Sequence, residues 1–522
     1  MQFSDPDPAD DLGAGRLSRH TPTMPMVMPV LLAVMSGWST SASAPTLLAG
    51  GTGEQVQPKL AWNGRGMLAL SWYDAPSGYD VMVRQLTTDG DFTWPAATMA
   101  MNNSFSSTQD YQLFRGAPWA VASQQGSTSP VAAVASLNAD GTLAWTRTVS
   151  ASSASVPKGN QADDGFLWSA WVEGSNTRVQ RLAQADGGFT FSAPIQIGTT
   201  GSTFAADVEP SLSGSGVVVS TVRYSTFSGP KVLWANLINP DGSQPWGTAG
   251  KQVFSTGSLQ FGNFPEFRRV PSAGHLFAYY KTSPLQSYVQ VLDAQGNRLF
   301  GTEGFGVTAD TARERTNPAA VSDGTYVYVC WIEHTPNSNI YGVYGQCFDV
   351  ATGTRKWGAA GLPLAPLETI YSYSGAVAHL RPEGVVFGWV RSTAFGQDTV
   401  EAMCVNSGGA TVWNRRPVAT NVSPKGRMQA HGVPYGTVLL WEDGITQGSS
   451  DIRGMRIGSD GSLGPALHPS PDLNGDGTID GADLGALLAA WSGKPGESPA
   501  DLNADGGVDG ADLGALLAAW QG

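Results

Sequence analysis

Cysteine is almost missing from this 522-residue chain. Cys330, Cys347 and Cys404 are too few for a disulfide framework, and no CxxC or Cys/His spacing marks a metal site. All three fall in strand-like runs, where a buried free thiol is the ordinary role. A Cys330–Cys347 bridge between neighbouring strands stays open in an oxidising compartment. Charge is also scarce, at 14% Asp, Glu, Lys and Arg, and the basic share is the smaller, giving a net charge of −13. That balance excludes a basic patch, and no nucleic-acid partner is expected. The six histidines (His20, His275, His334, His379, His431, His468) are scattered without HExxH spacing. No GxSxG stands at a strand-to-helix turn.

Long apolar runs are lacking too, so no membrane span is expected. The stretch MPMVMPVLLAVMSGW (24–38) is too short to cross a bilayer. Its setting suits export: Arg16, Arg19 and His20 precede it, and the small residues STSASA (39–44) follow. Residues 1–45 are therefore read as a signal peptide or N-terminal extension, and the protein as secreted or held at the cell surface.

What is abundant is Gly (65), Pro (33) and Trp (17), a mix that suits short strands and tight turns. A unit recurs: an alternating apolar strand often ending in Trp, a polar loop, a second strand, then Gly with an aromatic four residues on. The pairs are Gly90/Trp94, Gly141/Trp145, Gly187/Phe191, Gly242/Trp246, Gly296/Phe300, Gly353/Trp357 and Gly409/Trp413. In an eighth copy Gly461 is followed by Pro465, where the aromatic should stand. In the sixth unit the strand-length runs are NPAAVS, TYVYVCWI, IYGVYGQCFD and the stretch around GLPLAP. About four strands per unit of roughly 50 residues predicts a mainly β fold, a seven- or eight-bladed β-propeller over residues 55–465. A string of β-sandwiches needs units of about 100 residues. The array resembles the loosely related propeller repeats of secreted bacterial proteins, which implies a scaffold and not a reaction.

The recurring aromatics are read as packing between blades, since a position filled once per blade is structural. A second pattern places an acid two residues after the strand-ending Trp: Trp72/Asp74, Trp171/Glu173, Trp331/Glu333 and Trp441/Asp443, with Trp389/Arg391 as the exception. These are expected to be solvated strand ends, with a partial carboxylate ring as the alternative.

The tail differs from everything before it. DLNGDGTIDGADLGALLAAW from Asp472 returns from Asp501 as DLNADGGVDGADLGALLAAW, identical at 17 of 20 positions. Each copy fits a twelve-residue loop offering oxygens at positions 1, 3, 5, 7, 9 and 12 to a hard cation, with Gly at 6. The ligands are Asp472, Asn474, Asp476, Thr478 by its carbonyl, Asp480 and Asp483, then Asp501, Asn503, Asp505, Gly507 by its carbonyl, Asp509 and Asp512. Two Ca2+ ions are expected, because such crowded carboxylates repel one another without a cation. Gly477 and Gly506 stand at the bends. The stripes Leu484, Leu487, Leu488, Trp491 and Leu513, Leu516, Leu517, Trp520 are expected to pack together, with the Trp pair at the contact.

This duplicated loop–helix pair resembles a type I dockerin, so residues 466–522 are read as a small all-α calcium-binding dockerin-like domain. GPALHPSP (464–471) reads as its hinge and SGKPGESPA (492–500) as the linker between halves. The resemblance implies a docking partner, cohesin-like or on the cell surface. Positions 10 and 11 are Gly481-Ala482 and Gly510-Ala511, and neither helix carries Lys or Arg, so the surface left for that partner is small and apolar. The functional expectation is an exported, non-catalytic propeller that recognises glycan or protein and carries a calcium-binding docking module. The alternative is a polysaccharide-active enzyme, a glycoside hydrolase or lyase, on the same scaffold.

Overall fold

The computed structural model describes residues 37–521 apart from 65, 106–109, 127, 199–200, 227, 261–264, 283–284, 337–339, 446–447, 467–468, 477 and 492–496. Most of the apolar stretch 24–38 lies outside them, as do parts of the expected hinge and linker.

Eight four-stranded antiparallel sheets follow one another as the blades of a propeller. In chain order they span 55–101, 111–148, 154–197, 202–252, 266–306, 314–368, 372–423 and 425–458. The eighth copy, frayed in sequence, is a complete blade. Its outermost strand comes from the other end of the chain: Thr46–Ala49 pairs with Asp451–Gly458, Thr46 opposite Gly454. No helix among the described residues is long and apolar enough to cross a membrane.

The Gly/aromatic repeat is the joint between blades. A methyl group on Gly141, whose φ is +88°, would lie 2.6 Å from the Trp94 ring of the blade before it. Only glycine fits both the left-handed turn and the ring pressed on it. The indole N–H then donates to a carbonyl of that turn: Trp94 to Ala139 at 3.0 Å, Trp145 to Gln184 at 2.9 Å, Trp246 to Ala294 at 3.1 Å and Trp357 to Ser407 at 3.1 Å.

The eighth joint lacks its aromatic in the repeat, and Trp38 supplies it. Trp38 is 2% exposed, packs on Gly90, and donates Nε1–H to the Thr88 carbonyl at 2.7 Å. Its own N–H bonds the Asp89 carbonyl, and the Ala42 carbonyl accepts from the Thr420 N–H. The propeller thus begins at Trp38, earlier than the expected boundary at 55.

The tail forms two nine-residue helices, α1 (Gly481–Ala489) and α2 (Gly510–Ala518). It is seated on hairpins at one end of the innermost strands of blades 7, 8 and 1. Arg381 pairs with Glu497 at 2.7 Å, Tyr435 Oη donates to the Ser498 carbonyl at 2.6 Å, and the Gly66 N–H donates to the Asp505 carbonyl at 2.8 Å. The second loop therefore lies against the propeller while the first faces solvent. Asp501 is fully buried, whereas Asn474, Asp476 and Thr478 are exposed.

Replacing Trp38 with Ala should cost about 3–5 kcal/mol, as large-to-small core changes at Trp do. The check is the denaturation midpoint. An unchanged midpoint would mean the eighth joint does not carry the closure.

Candidate functional site in the central channel and the C-terminal loops

The innermost strands line a central cavity of about 360 Å3. Six of the eight carry a register shift in mid-strand, at Val56/Lys59, Ser155/Lys158, Ala205/Asp207, Thr316/Ala319, Ser374/Val377 and Gly426/Gln429. Five of these bulges hold a residue at positive φ: Gln57, Val156, Asn317, Gly375 and Arg427. Val156 is β-branched, for which this conformation costs on the order of 1–3 kcal/mol. A bulge re-aims the residue that follows it. Here it sends Lys59, Lys158, Asp207, Val377 and Gln429 to the cavity wall.

The wall is two-sided. Blades 1–5 bring Lys59, Asp110, Arg115, Lys158, Asp207, Glu266 and Arg268, while blades 7 and 8 bring Val377, Ala378, Met428 and Ala430. Most charges are already matched. Lys158 pairs with Asp110, Arg115 with Glu209 at 2.5 Å, and Arg268 with Glu266 at 2.5 Å. Burial alone would raise the Asp110 carboxyl, but Lys158 and Lys59 outweigh it and hold it below the usual range. Lys59 and Asp207 are the remainder. Lys59 has no ion-pair or hydrogen-bond partner among the described residues, and its Nζ stands 5.1 Å from the centroid of the Tyr111 ring. Burial, then the charges of Lys158 and Arg427, lower its pKa against the pull of Asp110 and Asp207. Burial, and then Glu209, push Asp207 up to about 6.

One of the scattered histidines, His431, lines this wall, and a second packs on it. His379 and His431 stack with centroids 6.5 Å apart. Burial drives both pKa values down, that of His431 to about 4, so both rings are neutral at pH 7. The repeat held a signal for this: they stand 30 residues before Gly409 and Gly461 respectively, one phase in adjacent blades. The bulges had a signal too, in the Pro that follows the left-handed residue in Gln57-Pro58, Val156-Pro157 and Asn317-Pro318. A proline inside a strand marks a bulge.

Three of the four acids two residues after Trp hold an indole instead of ending in solvent, and the fourth, half-buried Asp74, accepts from Gln55 Nε2 and Ser77 Oγ. Glu333 is 2% and Asp443 6% exposed, and each accepts the indole N–H of its own Trp. The bonds are Trp331 to Glu333 at 3.1 Å, Trp441 to Asp443 at 3.0 Å and Trp171 to Glu173 at 3.0 Å. In blade 7 Glu401 of the adjacent strand accepts from Trp389 at 3.1 Å, and Arg391 pairs with that same carboxylate. A buried indole needs an acceptor, and the short reach to residue i+2 on the same strand face provides it. The three cysteines are free, so the open Cys330–Cys347 bridge is not made. In the ladder Cys330 faces Gly345, and Tyr328 faces Cys347.

In the tail the two loops wind alike. Asp472 Oδ1 accepts from the N–H groups of Gly475 and Asp476, and Asp501 accepts from Asp505 and Gly506. Asn474 and Asn503 accept from Asp476 and Asp505, which in turn accept from Thr478 and Gly507. Asp480 and Asp509 cap α1 and α2. Asp483 and Asp512, fully buried, accept the N–H groups of Asp480 and Asp509 and reach back to Asn474 and Asn503. Gly506 turns with φ +94° as the bend requires, and Gly477 lies outside the described residues. Among the described residues no three or more His, Cys, Asp or Glu side chains converge as a metal-holding group. The donor chemistry, all oxygen, is nonetheless that of a hard cation. Asp501 shows the crowding: burial, with Asp512 and Asp505 beside it, pushes it up to about 6.

The Trp pair is not at the contact between halves. Leu487 and Leu516 are buried with Leu502 and Val508, but Trp491 is 44% and Trp520 37% exposed, with Leu488 and Leu517 exposed beside them. Each helix ends before its Trp, while Leu484 and Leu487 of one stripe and Leu513 and Leu516 of the other share a cluster with the loop residues Leu473, Ile479, Leu502 and Val508.

No protein-family model and no curated protein sequence matches this chain. Among solved structures it is similar to a polysaccharide lyase of family PL25, an ulvan lyase bound to -[GlcA(1-4)Rha3S]-, at 10% identity and TM-score 0.44, over 73% of this chain and 97% of that one. It is similar also to the Dos1 propeller, at 14% identity and TM-score 0.46, over 78% and 95%. A third is the β-propeller domain of the trilobed protease from Pyrococcus furiosus, described as having an open velcro topology, at 11% identity and TM-score 0.40, over 72% and 100%. Identities and scores this low carry no chemistry to this chain.

Asp207 yields a test with a definite sign. Its raised pKa means the folded state loses stability as pH rises from about 4 to about 6, because the native chain then holds a proton the unfolded chain has released. Asp207→Asn should raise the unfolding midpoint at pH 7 and leave it nearly unchanged at pH 4. Equal effects at both pH values would contradict the assigned burial.

Proposed function

We propose that this protein is an exported recognition protein: a non-catalytic propeller that binds glycan or protein at its central channel and carries a calcium-organised docking module. The observation that supports binding over catalysis is the pairing of the channel charges. Asp110, Glu209 and Glu266 each hold a cation, which leaves no two free carboxylates flanking a reactive bond among the described residues.

In the tail, Asp472, Asn474, Asp476, Thr478, Asp480 and Asp483 would hold one Ca2+, and Asp501, Asn503, Asp505, Gly507, Asp509 and Asp512 the second. The ion supplies the positive charge these oxygens lack, and its binding energy becomes folding energy for the segment. The exposed Leu488/Trp491 and Leu517/Trp520 patches support a docking role, with a cohesin-like or cell-surface partner. One observation favours the alternative, a polysaccharide-active enzyme: Asp207 near pH 6 is poised for proton transfer.

EGTA should lower amide protection across 472–521 and leave the eight sheets protected. Calorimetry should find two calcium ions, reduced by Asp472→Ala and Asp501→Ala together; unaltered stoichiometry would remove these ligands. A glycan array run beside hydrolysis and lyase assays separates the readings: binding without turnover supports recognition, and product formation supports the enzyme.

A further inference from the structure

The channel gives a more specific answer about its ligand, resting on the recognition reading above. Every other described cation at the cavity wall is held by a carboxylate, and Lys59 is not. Its position is built rather than incidental. The bulge at Gln57 turns the strand, Pro58 follows, and the bulge is tied down from both sides: Tyr111 Oη donates to the Gln57 carbonyl at 2.8 Å, and Glu442 accepts the Gln57 N–H at 2.5 Å. The ammonium is therefore delivered into a cavity of about 360 Å3, within the range of small-molecule sites. Asp110 and Asp207 act on that ammonium from a distance, but no carboxylate among the described residues touches it, so an anionic group that enters the cavity can pair with it directly.

The rest of the wall narrows the class. One ammonium is a point charge that balances one negative charge. Asp110 and Asp207 stand nearby, so a dianion would leave surplus negative charge. The Gln112 and Gln429 amides both donate and accept, as hydroxyls require, and Leu113 and Met428 offer apolar surface to ring C–H groups. We propose that the channel binds a carboxylate-bearing sugar, a uronate, with its carboxylate on Lys59 Nζ and its hydroxyls on Asp110 and Gln112 of blade 2, Asp207 of blade 4 and Gln429 of blade 8.

The test uses the full-length protein and saturation-transfer NMR with glucuronate, glucose and inorganic sulfate as probes. Glucuronate should bind at least 10-fold more tightly than glucose, and sulfate should compete poorly. Lys59→Met should weaken glucuronate about 10- to 100-fold, the loss of one charge-assisted contact, with an unchanged melting midpoint. Independently of any variant, saturating glucuronate should protect Lys59 of the wild-type protein from reductive methylation, read by mass spectrometry. Equal binding of glucose, equal competition by sulfate, full affinity in Lys59→Met or unprotected Lys59 would each overturn the proposal. Neutral-sugar binding that ignores Lys59 would do so while leaving recognition intact. An array on which no glycan and no protein binds would remove the recognition reading as well.

Discussion

One contact repeated around a circle holds this molecule together: an aromatic ring laid on the left-handed glycine of the next blade. The contact is selective because it asks two things of one residue, a positive φ and the absence of a side chain. It is directional at Trp38, Trp94, Trp145, Trp246 and Trp357, whose indole N–H reaches a carbonyl of the turn beneath, whereas that of Trp413 on Gly461 is buried without a partner among the described residues. Phe191 fills the same place without that hydrogen bond, and on Gly353 the ring is Phe305, stacked on Phe300. Joints of this kind set the distance between sheets, and that distance fixes how wide the channel stands and which side chains face each other across it.

The blades were legible because the joint is local in its signature, Gly then an aromatic four residues on. The eighth joint was not, because the ring on Gly90 is Trp38, upstream of the first repeat, while the repeat itself offers only Pro465 at that place. Trp38 also sits at the end of an apolar stretch whose composition suits export, so its packing role was hidden by a stronger pattern. The channel was hidden for a related reason. Seven blades contribute between one and four wall residues each, and no short motif gathers Lys59, Lys158 and Asp207. What the sequence did carry was phase, in His379 and His431, and the odd prolines of QPK, VPK and NPA within strands. The carboxylates after Trp misled because polarity at a strand end suits water as well as it suits an indole. Only burial tells the two apart.

The tail shows how far near-identity in sequence falls short of identity in setting. The loops from Asp472 and Asp501 make almost the same hydrogen bonds, yet one lies open and the other rests on Gly66, Pro434 and Tyr435. Glu497, in the linker between them, anchors to Arg381 and to the Tyr435 N–H. The module is thus fastened to the scaffold on one side, and its exposed apolar residues lie on helices that the scaffold leaves uncovered.

The eighth blade also sets an order of events. Its outer strand is among the first parts of the fold to be synthesised, and the three strands it joins are the last of the array. Until residues 425–458 emerge, Thr46–Ala49 has no strand to pair with, and an unpaired strand edge stays open on the growing chain. Closing a loop of some 400 residues costs little more entropy than closing one of 200, since the cost grows only with the logarithm of length. What the arrangement costs is time. The arc cannot become a ring until its eighth blade has been made and Thr46–Ala49 can pair with it.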